Sequence, residues 1–196
     1  MPAEQKTKGR LVRGFRKKAE DHAVSFRETL GLEYHDHLPA RVLAEHLSVP
    51  IICPSNIKGL SDHHLDVLLK PNKSKWSAAT IEVEDGTKLI IHNSSHAPTR
   101  QESDLMHELA HLICGHEMSA IGKNRKEFPF AMRDFDENQE NEANWLGGCL
   151  QMPREGLVWA FRNGMSIDQI ALHYKASKAM ANFRVFKEGL HKQFKL

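Results

Sequence analysis

Leu105-Met106-His107-Glu108-Leu109-Ala110-His111-Leu112-Ile113 decides the reading of this 196-residue chain. Leu105, Leu109, Leu112 and Ile113 recur at helical spacing and form an apolar stripe that belongs in a core. His107 and His111 are four residues apart, so both imidazoles leave the same helix face, at the boundary of that stripe. Thr99 followed three residues later by Glu102 has the spacing of a capping box, which predicts a helix from there to about Cys114.

Two imidazoles one turn apart can share a metal ion, and neutral imidazole nitrogen is a good ligand for Zn²⁺. Glu108 projects beside that pair, where it can take a proton from a water held by the ion. A chain with thirteen histidines meets an accidental His-Glu-x-x-His by chance roughly 7% of the time, so the motif needs support from elsewhere. A catalytic zinc site takes three protein ligands and keeps a fourth position open. Glu140-Asn141-Glu142-Ala143-Asn144 offers the third, on a helix predicted over about 138–151. Glu140 and Glu142 point to different sides of that helix, so one of them faces the metal. Glu140 is the stronger candidate because Asn144 and Gly147 share its face, with the Asn144 amide available to support a ligand. Ala143, Gly147 and Gly148 are small enough to let this helix approach the histidine helix closely.

Upstream, residues 14–30 read as a helix stopped by Gly31, and Pro39 suits the first turn of a helix over 39–47. Val49 to Cys53 read as a short strand. Ser61 caps a helix carrying Leu65, Leu68 and Leu69 that ends before Pro71. Ile81 and Val83, the Asp85-Gly86 turn and Leu89-Ile90-Ile91 form a hairpin. Residues 116–136 have no sustained period and read as a long loop. Downstream come helical segments at about 154–163, 167–174 and 178–190. The expected fold class is α+β: a mostly helical core with a small β-sheet, followed by a C-terminal helical element.

The net charge of +2 announces no nucleic-acid or membrane partner. Lys6, Lys8, Arg10, Arg13, Arg16, Lys17 and Lys18 crowd the N-terminus, as a solvated tail does. No secretion signal and no run of 18 apolar residues is legible. Cys53, Cys114 and Cys149 lie in apolar surroundings and read as buried thiols, so the expected location is the cytoplasm. His35-Asp36-His37 and His63-His64 read as surface clusters. Ala176-Ser177 followed by Ala181 and Arg184 has the spacing of a helix-turn-helix, with Lys175, Lys178, Arg184 and Lys187 basic enough to reach phosphate. DNA contact there competes with the plainer reading of a packing subdomain, and Leu172, Met180, Val185 and Phe186 need burial in either case.

The order of these signatures resembles the ImmA/IrrE family of metallopeptidases: Pro98-Thr99-Arg100 leading to His107-Glu108-Leu109-Ala110-His111, then Glu140-Asn141-Glu142-Ala143-Asn144, then Leu150-Gln151-Met152-Pro153. The similarity extends loosely over residues 36–190. Ala110 stands where Gly is usual, and Trp145-Leu146-Gly147-Gly148 replaces the common Phe-Ala-rich continuation. The resemblance implies a zincin-like peptidase core with one zinc ion per chain, held by His107, His111 and Glu140; the ligand types alone leave Mn²⁺ and Fe²⁺ open as well, since availability also decides the metal. It also implies proteolysis of a helix-turn-helix transcriptional repressor, which derepresses stress-response or mobile-element genes. The chain then divides into a basic tail and helix (1–35), a peptidase core (36–153) and a helix-turn-helix-like subdomain (154–196). No DNA-binding module is legible ahead of the peptidase signatures. His92, His116 and Tyr174 are the candidates for stabilising the oxyanion. Two other readings stay open: a DNA-binding regulator with a structural zinc site, and a partner-binding toxin–antitoxin module with an idle one.

Overall fold

The computed structural model describes residues 11–69, 76–82, 86–116, 119–120, 133–134 and 137–194. Helix α1 spans Phe15–Thr29 and α2 spans Ala40–His46. Strand β1 (Ile51–Ile52), a single 3₁₀ turn at Pro54–Asn56 and α3 (Asp62–Leu69) follow. Strands β2 (Ala78–Glu82) and β3 (Lys88–His92) lead into α4 (Pro98–Cys114). After β4 (Ser119–Ala120) and β5 (Arg133–Asp134) come α5 (Glu137–Gln151), α6 (Arg154–Arg162), α7 (Ile167–His173), α8 (Lys178–Lys187) and α9 (Leu190–Gln193). The architecture is mostly helical α+β with a small sheet, as the sequence predicts. No helix among the described residues is long and apolar enough to cross a membrane.

The sheet has strand order β1-β3-β2. β3 lies parallel to β1, with Ile51 opposite Ile90, and antiparallel to β2, with Thr80 opposite Ile90. β2 begins three residues before Ile81, because its pairing with β3 runs on until Ala78 meets His92. Helix α4 lies on β2 and β3 and pairs closely with α5, and α1 packs against the other side of α5. Ala19, Ala23, Leu43, Ile90, Leu105, Leu109, Leu146 and Leu150 share one core between these elements. A second core joins α6 to α9 through Met152, Leu157, Ile170, Tyr174, Val185 and Leu190.

Four local expectations need correction. Thr99 does not cap α4. Proline without an N–H suits a first helical turn, so the helix starts at Pro98 behind Ala97, with no side-chain cap. Glu102 instead accepts the backbone N–H of Ala40 at 2.5 Å, tying the start of α2 to α4. Within 116–136, read as one loop, β4 and β5 pair antiparallel; two-residue strands are too short to leave a period. The helix predicted over 178–190 ends at Lys187, because Gly189 takes a left-handed φ of 69° and starts α9. Leu172 and Phe186 are exposed rather than buried, at 80% and 56%.

Two buried arginines fasten α5 at its C-terminal end. Arg27 of α1, fully buried, donates to the carbonyls of Leu150 and Gln151 as well as Ala23 and Asp36. Burial pushes this guanidinium down to about 10, yet it remains a cation set against the negative end of the helix dipole. Arg184 of α8 donates to the carbonyl of Met152 just beyond the helix, and to Glu20 and Glu188. It is fully buried and cannot reach phosphate, contrary to the DNA-contact expectation. Lys178 is paired with Asp168 at 2.8 Å.

Candidate metal centre

Helices α4 and α5 touch where α5 has no side chain to separate them. A Cβ on Gly147 would lie 3.2 Å from the Met106 carbonyl oxygen and 3.4 Å from His107 Cα. Gly148 faces the other way: a Cβ there would meet Arg184 Cδ at 2.7 Å. So Gly147 admits the histidine helix and Gly148 admits the buried arginine. Gly147→Val is expected to lower stability by about 1–3 kcal/mol, the usual range for overpacking against backbone that cannot give way. Thermal denaturation followed by circular dichroism checks it, and an unchanged midpoint would show that the contact has slack.

That close approach brings three side chains together. His107 Nε2 and His111 Nε2 are 3.1 Å apart. Glu140 reaches both, with Oε2 3.3 Å from His107 Nε2 and Oε1 3.4 Å from His111 Nε2. Donors bonded at about 2.0–2.1 Å around a tetrahedral ion stand about 3.3–3.4 Å from one another, so this set fits a zinc-sized ion. Among the described residues it is the only His/Cys/Asp/Glu cluster of three that could hold a metal. The two imidazoles hold the Glu140 carboxyl well below the usual carboxylate range. Burial disfavours a charged His107, but Glu140, Glu108 and Asp104 outweigh it and raise its pKa.

Glu108, 8% exposed, lies in the same cleft as His107. Thr80 of β2 donates its hydroxyl to Glu108 Oε2 at 2.6 Å, fixing one carboxylate oxygen. Sequence reasoning missed Thr80, because its link to Glu108 is made by the sheet lying against α4. Behind the site, His111 Nδ1 is 2.8 Å from His116 Nδ1, and His116 Nε2 is 3.1 Å from Glu142 Oε2. One set of tautomers satisfies the whole chain: His111 donates to His116, which donates to Glu142. That leaves His111 Nε2 as a lone pair facing Glu140 and His107, the orientation a metal ligand needs. Glu142, the rival carboxylate in the sequence, thus belongs to this supporting chain.

A family model described as the IrrE N-terminal-like domain, peptidase M78, matches residues 44–186. The chain belongs to that family. The match covers α4 and α5, which carry the candidate metal site, and runs on through α6 and α7 to Phe186 of α8; metal dependence is typical of such peptidases. No curated protein matches. Among solved structures, a Mycobacterium tuberculosis transcriptional regulator is similar over 89% of this chain and 47% of its own, at 11% identity and a TM-score of 0.47. The chain spans about half the length of that protein.

In this IrrE-like fold, none of the three oxyanion candidates lines the cleft. His92 is buried against Arg41 and Cys53, with Nε2 at 2.9 Å and 3.2 Å, and burial lowers its pKa. Tyr174 is buried in the second core, and burial raises its pKa. His116 serves His111. Asn144 does line the cleft and is exposed there. Its side-chain amide makes no hydrogen bond with a described residue, so it does not brace a ligand as expected. His96, unnoticed in the sequence, holds Asp104 at the cleft wall through Nδ1 at 3.0 Å. His63 and His64 are exposed, as predicted, whereas His35 is half-buried and stacks 4.1 Å from Trp159. Burial likewise pushes the half-buried His37 down to about 4. Cys149 is buried but Cys53 and Cys114 only partly so; all three are free thiols.

Proposed function

We propose that this chain is a zinc-dependent endopeptidase that cleaves a regulatory protein. His107, His111 and Glu140 hold one zinc ion, and Glu108 is the general base. The observation that carries the reading is the spacing of 3.1–3.4 Å among the three donors, with Glu108 anchored in the same cleft. Zinc bound there would supply Lewis acidity for the attack of water on a peptide carbonyl. Glu108 takes the proton of the attacking water as its oxygen bonds to the carbonyl carbon. It returns a proton to the amide nitrogen as the C–N bond breaks. Asn144, exposed at the cleft, is placed to donate to the carbonyl oxygen or to substrate backbone.

In this reading residues 36–153 are the peptidase core and 154–196 a helical subdomain, supported by the separate core that α6 to α9 enclose. The resemblance to ImmA/IrrE proteins supports a helix-turn-helix repressor as the substrate and the cytoplasm as its place of action. The burial of Arg184 weakens the DNA-binding alternative. The test is to load the protein with zinc, confirm one ion per chain by elemental analysis, and incubate it with the repressor encoded nearest its gene. Two defined fragments, abolished by a chelator and restored by added zinc, are expected. Full zinc occupancy without any cleavage would refute the peptidase role.

A further inference from the structure

A second, larger groove of about 900 Å³ opens beside the cleft. Ser103, Asn144 and Met180 line both, so the two are continuous. Its floor is apolar, built from Trp145 of α5, Met180 and Phe183 of α8, and Val12, which is 65% exposed. Its rim is cationic: Arg13, Arg16, Arg100 and Lys187 line it, and no carboxylate does among the described residues. The charges sit close above the apolar surface. The Arg16 guanidinium stacks 4.3 Å from the Trp145 ring centroid, and Lys187 Nζ is 5.7 Å from that of Phe183. Arg100 is shared with Asp104 of the cleft, at 3.7 Å.

We infer that this groove binds the stretch of substrate adjoining the scissile bond, and selects apolar side chains flanked by Asp or Glu. The inference rests on the peptidase reading above and adds a specificity to it. The volume is at the upper end of what encloses a drug-sized ligand, so it takes a few residues of an extended peptide. Buried tryptophan, with arginine around it, is the composition of binding hot spots. Charge complementarity picks the partner: a ring of cations speeds and orients the approach of carboxylates and rejects a basic segment. The chain's own residues 1–10 are such a segment, with Lys6, Lys8 and Arg10 against a single acid, Glu4.

The test measures binding without turnover. Full-length protein stripped of metal by chelator is titrated, by fluorescence anisotropy at low salt, into two labelled nonapeptides. One alternates Glu with Leu and Phe; in the other every Glu is Lys. The acidic peptide is expected to bind at least about tenfold more tightly, less so as salt rises, since rim charges set steering and salt dependence. Arg13→Glu with Lys187→Glu, both exposed, should abolish or reverse that preference, and Phe183→Ala should weaken both peptides. Circular dichroism confirms that each variant is folded. Equal binding of the two peptides, or a preference unmoved by the charge reversals, overturns the proposal. So does binding that appears only after residues 1–10 are deleted, or complete displacement of the acidic peptide by a short DNA duplex. Cleavage is not part of the readout, so absence of peptidase activity sinks only the earlier reading. An active peptidase that ignores peptide charge sinks only this one.

Discussion

Glu108→Gln is expected to retain one zinc ion per chain and to lose about 10²–10⁴-fold in cleavage rate, the range that a positioned general base contributes. The substitution is isosteric. The amide oxygen of glutamine can still accept the Thr80 hydroxyl that now reaches Glu108 Oε2 at 2.6 Å, so the side chain should stay in place. What disappears is the basic oxygen to which the proposed mechanism assigns the proton of the attacking water. His107, His111 and Glu140 are untouched, so elemental analysis should give the same metal content as the parent protein. Single-turnover cleavage of the identified repressor supplies the rate. A metal-replete variant that cleaves at the parent rate would sink the assignment of Glu108. Loss of metal together with activity would instead place Glu108 among the groups that hold the ion.

Arg184→Ala should produce the largest loss of stability. Arg184 is fully buried and its guanidinium meets Met152 O at 3.0 Å, Glu188 Oε1 at 2.9 Å and Glu20 Oε1 at 2.5 Å. Alanine strands Glu20 and Glu188 with weaker partners. Glu20 keeps the Arg154 N–H at 2.7 Å and the Cys149 thiol at 3.1 Å, and Glu188 keeps Arg154 Nε at 3.6 Å. Removing one partner of a buried ion pair costs about 3–5 kcal/mol. For a chain of this size that lowers the melting temperature by about 6–20 °C. Lysine should not restore it, because one ammonium cannot replace the planar fork that serves three acceptors. Scanning calorimetry decides the matter. A loss below about 1 kcal/mol, the worth of a surface ion pair, would mean that water replaces the guanidinium at no great cost.

The parts of the site that follow from helical periodicity were legible in the sequence. His107, Glu108 and His111 stand on one amphipathic helix, and the small residues around Glu140 foretold a close helix pair; both are properties of spacing. The supporting contacts were not legible. Thr80 meets Glu108 across 28 positions and His116 meets Glu142 across 26, and such pairings depend on how α4, α5 and the sheet dock. Arg184 shows the same limit: a basic residue at helical spacing looks solvated until its acidic partner, 164 positions earlier, is folded against it. Glu102 was misread for the opposite reason, since a local motif competed with a distant backbone N–H and lost.

The contact between Glu20 and Arg184 has a consequence for synthesis. Closing so long a loop is entropically costly and must wait for packing that brings its ends together. On the ribosome, Glu20 emerges 164 residues ahead of Arg184 and stays without this counter-ion until α8 has been made. A nascent or prematurely terminated product lacking α8 therefore leaves α5, the helix that carries Glu140, unfastened on one side.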